Sequence, residues 1–275
     1  MADTSTASLR TALRPYLAVL GSRARSQRAY RASFALDLLS SLLVGAIELA
    51  EVSVLFHSVD ALGGLDFTAI LLVFGLADLC FSLADMSFGH CDNLPSYLRA
   101  GTLDVFYLRP QPLLLQLITS DISLRRLARA AVGAVALTVG LVLNDIDWSP
   151  AHVLLLALAI VSGYAVFAGM FVWAGGAQFF LVEGAETTNA FVYGGRYAAT
   201  QPASVWNRPL WAVFGFFFPM VFTGFLPALW LLGYAPPYGL PDWVGWCAPA
   251  AAVWTWTLAL ASWRVGVRHY QGGGG

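Results

Sequence analysis

The sequence predicts an all-α integral membrane protein with six transmembrane helices, an N-terminal helix lying in the membrane interface and a short cytoplasmic helix after the second span. Three observations carry this. The 275 residues are 58% hydrophobic and only 11% charged, against roughly 25% charged in soluble domains, and the mean hydropathy is +0.68. Six apolar runs, near 33–56, 66–88, 123–143, 151–181, 209–232 and 243–263, approach the roughly 20 residues a spanning helix needs and far exceed the about 10 of a barrel strand. The basic residues, all of them arginine, sort by position along these runs.

With six spans and an inside N-terminus, the inside segments hold Arg10, Arg14, Arg23, Arg25, Arg28 and Arg31, then Arg99, Arg109, Arg125, Arg126 and Arg129, then Arg196 and Arg208, then Arg264 and Arg268. The outside loops hold Asp60, Asp66, Asp145, Asp147 and Asp242. Arginine is retained on the cytoplasmic side of short loops, so both termini are expected in the cytoplasm and the chain in the inner (plasma) membrane. Trp148, Trp230, Trp243 and Trp246 fall at the expected outer span ends, and Trp206, Trp211 and Trp263 at the inner ones.

Taken in order, Leu9, Leu13, Tyr16, Leu17 and Leu20 recur at helical spacing before the first span, giving an interfacial helix within residues 1–32. Residues 33–271 form the membrane domain, and the glycines of 272–275 read as a flexible tail. Prolines 219, 227 and 249 fall inside spans and predict kinks. Ala130, Ala134 and Thr138 make a small-residue stripe on the third span.

Between the second and third spans lies "CDNLPSYLRAGTLDVFYLRPQPLLLQ". Asp92 or Asn93 can cap a first short helix that Gly101 stops, and Thr102 can cap a second that Pro110 ends, giving a docking element over about 92–110. Leu103, Phe106 and Tyr107 form one apolar face, with Asp104 and Arg109 elsewhere. A helix too short to span and this apolar is suited to docking.

Other chemistry finds little support. His57, His90, His152 and His269 are scattered, no zinc-protease or nucleophile-elbow motif occurs, and Cys80, Cys91 and Cys247 have no metal spacing. No basic tail or patch points to nucleic acid. A P-loop needs a lysine for the nucleotide phosphates, and the chain contains no lysine.

"GTLDVFYLRPQPLLLQ" at 101–116 resembles the "G-x-L-D-x-x-x-x-R-P" loop of six-span permease subunits of type-2 ABC exporters, in the viologen-exporter-like branch. "YRASFALDLL" at 30–39, "FGLADLCFSLADMSFG" at 74–89, the 182–210 segment, "FFFPMVFTGFLPALWLLG" at 216–233 and "WRVGVRHYQ" at 263–271 extend the similarity over nearly the whole chain. The resemblance implies a permease that binds no cofactor itself, with ATP and Mg on a cytoplasmic ABC ATPase dimer. It also implies a second permease subunit, the same chain or a paralogue, in the lipid bilayer. The coupling residues it implies are Gly101, Leu103, Asp104, Phe106, Tyr107, Arg109 and Pro110. A passive channel, or a lipid- or peptide-exporting permease of the same fold, is the alternative.

For the transport path, the first two spans carry Asp37, Glu48, Glu51, Asp78 and Asp85, with no basic residue in their own apolar interiors. Charges inside a membrane cost about 2.5–3.5 kcal/mol each and mark function. Glu48, Glu51 and Asp78 are therefore expected to line an acidic cavity that favours amphipathic cations.

Overall fold

The computed structural model describes residues 31–120, 126–181 and 185–270, together with Gly21. The expected interfacial helix and the glycine tail lie outside these residues. The described chain is helical, with no strand beyond a single bridge between Leu62 and Leu65. In order come α1 (Arg31–Leu55), α2 (Phe67–Phe88), the short helices α3 (Leu94–Arg99), α4 (Asp104–Tyr107) and α5 (Leu113–Ser120), then α6 (Leu127–Leu143), α7 (Pro150–Gln178) and α8 (Ala185–Ala199). The chain continues through α9 (Arg208–Leu210), a π-helical extension Trp211–Phe217, α10 (Phe225–Leu231) and α11 (Ala248–His269).

Among the described residues, three helical stretches are long and apolar enough to cross a membrane alone: Phe67–Arg99, Pro150–Gln178 and Asp242–His269. α6 is apolar but has 17 residues. α1 has the length, at 25 residues, but carries Asp37, Glu48 and Glu51.

Glycine sets how closely the helices approach. A methyl group built on Gly75 would strike the backbone of Leu137, one on Gly133 the backbone of Leu79, and one on Gly140 the backbone of Leu72. α2 and α6 therefore run antiparallel in backbone contact, the close packing that replaces a hydrophobic drive inside lipid. Asn144 seals the pair by donating from Nδ2 to the Thr68 carbonyl at 2.9 Å. Gly133, Ala136, Leu137 and Gly140 of α6 are buried along the α2 contact; Ala130 is also buried but Thr138 is exposed, so the Ala130–Ala134–Thr138 stripe is not a continuous contact line. α7 and α11 also meet through glycines but run parallel, with Gly169 against Thr255, Gly176 against Ser262 and Trp263, and Gly266 against the Gly176 carbonyl.

These pairings define two ends of the bundle. One holds the 57–66 and 144–149 loops and the start of α11, with Asp60, Asp66, Asp145, Asp147 and Asp242, and is called the acidic end. The other, the basic end, holds α3 to α5 and the close of α11, with Arg99, Arg109, Arg264 and Arg268.

The expected fifth span, 209–232, is not one straight crossing. Arg208–Phe217 and Met220–Leu231 are bent by 65° at a short break, and both legs finish at the acidic end. On the first leg, the Tyr238 hydroxyl donates to the Trp206 carbonyl at 2.7 Å, Trp211 packs on Tyr238 at 5.4 Å, and Gly63 abuts Ser204. On the second, Trp230 stacks on His152 at 4.8 Å and on Trp246 at 5.2 Å. At the turn between them Phe218 packs on Trp173 of α7 at 4.8 Å, and the second leg passes Gly163 at Thr223, about 20 Å from the start of that helix at 1.5 Å per residue. Pro219 accounts for the break, and the freed carbonyl of Phe217 accepts from Trp254 Nε1 at 3.0 Å. Pro227 lies within the short α10, and Pro249 opens α11 rather than kinking it.

The element that runs from the basic to the acidic end at this point of the chain is α8. Arg196 is thus inside the bundle, while Trp206, Trp211 and Arg208 stand at the acidic end, opposite to Arg99 and Arg264, with which the sequence alone groups them. Single cysteines at Ser58 and Val205 should be labelled by an impermeant thiol reagent from the same side of the membrane, and one at Ser96 from the other. Val205 labelling together with Ser96 would contradict this arrangement.

Candidate functional site

Four helices converge on one set of charges. Arg196 of α8 donates from Nη1 to Glu48 Oε1 at 2.9 Å and from Nη2 to Glu48 Oε2. It also donates from Nε to Asp78 Oδ1 at 3.1 Å, with Nη2 on the same oxygen. Arg129 of α6 donates from Nη2 to both Glu48 oxygens, at 2.7 and 3.0 Å, and its Nε stands 3.7 Å from Asp78 Oδ1. The Asp78 side chain is 0% exposed and that of Arg196 7%. Phe81 offers its ring to both guanidinia, 5.2 Å from Arg196 and 5.7 Å from Arg129, adding cation–π attraction to the ion pairs.

Two carboxylates against two guanidinia leave the cluster formally neutral. The premise that Glu48 and Asp78 have no basic partner is therefore wrong: the partners come from α6 and α8, distant in sequence. Glu51 stands apart, exposed, and accepts from the Tyr197 hydroxyl at 2.9 Å. Arg126 pairs with Asp85 at 2.6 Å. A cavity of about 270 Å³ opens beside both arginines, lined by Ser40, Ser41, Val44, Asp85, Arg126, Arg129 and Tyr193. With Tyr193 donating to Asp92 at 2.7 Å, α8 is tied to its neighbours by three polar side chains at i, i+3 and i+4, all on one helical face.

The segment between α2 and α6 forms the second site. Gly101 takes φ +63°, the left-handed turn that stops α3. Neither Asn93 nor Thr102 caps as expected: Asn93 Nδ2 instead lies 3.2 Å from His90 Nδ1, and Leu103 is the residue that flanks α4. Leu103 is fully buried, and Phe106 packs edge-on against Tyr97 at 5.3 Å. Gln116 fixes the turn from below, donating to the carbonyls of Phe106 at 3.0 Å and Gln111 at 2.7 Å.

This corrects the expected docking face, because Leu103 and Phe106 point inward. The outward corner is Val105, Leu108, Arg109 and Pro110, with Leu108 84% exposed. Tyr270, at the end of α11, clamps the element: its hydroxyl donates to Asp104 Oδ1 at 2.9 Å and its ring stacks on Tyr107 at 6.0 Å. Burial and the Asp104 carboxylate push the Tyr270 phenol up to about 12, so this donor stays protonated at neutral pH.

Removing one member of a buried ion cluster strands the others, at about 3–5 kcal/mol. Arg196→Ala should therefore lower the melting temperature of the purified chain sharply. Arg196→Met with Asp78→Leu removes one charge of each sign, and should recover most of that loss. Equal loss in the single and double variants would show that electrostatics does not hold the cluster.

No curated protein and no solved structure matches the chain. Residues 42–274 match the family described as ABC-2 family transporter protein. That span takes in the convergent charges, the docking segment and α11, the parts on which the architecture rests. The chain is thus a membrane-embedded permease subunit of the ABC type, whose family implies an ATPase partner, and it belongs to the ABC-2 transporter family.

Proposed function

We propose that this chain crosses the membrane six times, through α1, α2, α6, α7, α8 and α11, with both termini and the basic end in the cytoplasm. The arginine distribution supports that orientation, and a re-entrant 208–231 hairpin supplies the acidic, outer end. The chain acts as an exporter subunit, moving amphipathic small molecules outward by alternating access beside a second permease subunit. Separate ATPase subunits that hold ATP and Mg supply the energy.

The observation that carries this reading is the exposed corner at Val105–Leu108–Arg109. A large apolar side chain left at 84% exposure, just past the end of a helix of four residues anchored from beneath, is suited to insertion into a partner groove. Gly101, Asp104, Tyr107 and Pro110 shape and brace this corner, while Leu103 and Phe106 root it in the bundle. Because Tyr270 joins Asp104 and Tyr107 to α11, a push on the corner passes directly to a long helix. An arginine beside an apolar anchor is common among residues that dominate interfaces.

Glu48 and Asp78 act in this scheme as structural charges of the path wall, their neutralised state removing the basis for a strong cation preference. Glu51, exposed and held by Tyr197 alone among the described residues, remains the acid best placed to meet a solute.

Leu108→Asp should reduce copurification of the ATPase at least about tenfold, since it places a charge at a packed docking point. Phe106→Ala should instead mainly lower the stability of the permease. If Leu108→Asp leaves association and transport intact, this corner is not the docking site.

A further inference from the structure

Placing the start of the 208–231 hairpin at the acidic end leaves one arginine there among the described residues. Arg208 is exposed, and among the described residues it makes no ion pair. It stands over an apolar slot of about 440 Å³ lined by Trp211, Ala212, Phe216, Tyr238 and Leu240. Trp211, Ala212 and Phe216 belong to the π-helical stretch Trp211–Phe217, and such widened turns are concentrated at functional sites. Tyr238 is also held at φ +59°, the one non-glycine residue with positive φ among the described residues. That conformation is strained for a bulky side chain, and its hydroxyl bond to Trp206 keeps the ring against the slot.

We propose that this slot binds an anionic phospholipid, one acyl chain lying among Trp211, Phe216 and Tyr238 and the phosphate meeting Arg208. Aromatic side chains with one polar edge collect at headgroup depth, and a guanidinium there can meet a phosphate through charge-assisted, often bidentate hydrogen bonds. Five aspartates at the same end would repel a lipid anion at long range, so recognition depends on direct contact with this one guanidinium. A bound acyl chain would brace the π-helical leg on the open side of the slot. The proposal uses only the placement of the hairpin and does not require the ATPase-docking reading.

The test is native mass spectrometry of the purified full-length chain, titrated with phosphatidylglycerol and with phosphatidylcholine of the same acyl chains. Phosphatidylglycerol should bind about fivefold more tightly, the value of one arginine near a charged surface. Arg208→Ala should reduce its binding to the phosphatidylcholine level, and Arg208→Lys should keep the preference. Ala212→Phe, which fills the slot, should weaken both lipids. Equal binding of the two lipids by the wild type, or an unchanged preference in Arg208→Ala, would overturn the proposal. So would lipid-independent cross-linking of two copies through a cysteine at Leu240, which would make the slot a protein interface.

Discussion

The bidentate grip of Arg196 on Glu48, extended to Asp78, is the interaction on which the architecture depends. α1 has few other anchors: much of its surface, including Leu36, Leu43, Ile47 and Val54, is exposed, and its Gly45 packs against the side chain of Val132 on α6. α8 is no stronger a membrane helix, with 15 residues and Glu186 and Arg196 within it. Neither would be held in place by apolar area alone. In a low-dielectric interior an unpaired charge is prohibitive, while a satisfied one is tolerable. The charges that make α1 and α8 poor membrane segments in isolation make the assembled group specific.

Specificity at the centre leaves motion to the periphery. The α2–α6 and α7–α11 pairs are rigid because glycines bring their backbones together, and a rigid pair moves as one body. The docking segment joins the first pair by chain connection and the second by the Tyr270 clamp. On the proposed function, a force applied at Leu108 would reach both pairs, and the charge cluster would resist separation of α1 and α8 from them.

Much of this was legible in the sequence, and the failures share one cause. Composition and run length gave the helical membrane class, and Gly101 and Pro110 marked the docking segment, because each signal is local. The 209–232 run has the length and hydropathy of a span, yet Pro219 and the contacts of Trp206 and Trp230 with the acidic end fold it back. α8 escaped notice because Arg196 and Glu186 dilute its hydropathy. Its signal was the spacing Tyr193, Arg196, Tyr197, a polar face on an otherwise apolar helix. The pairing of Glu48 with residues 81 and 148 positions away cannot be read from any window. Likewise Leu103 and Phe106 looked like a docking face because a four-residue helix does not reveal which side is already covered.

The most direct test is a double-mutant cycle between Glu48 and Arg196, using Glu48→Gln, Arg196→Gln and the pair, read as unfolding free energy in a fixed membrane mimetic. Contacting charges should show a coupling of at least about 1.5 kcal/mol, within the range found for residues in one network. Additive effects within about 0.5 kcal/mol, the behaviour of distant and independent sites, would contradict the claim that this ion pair joins α1 to α8.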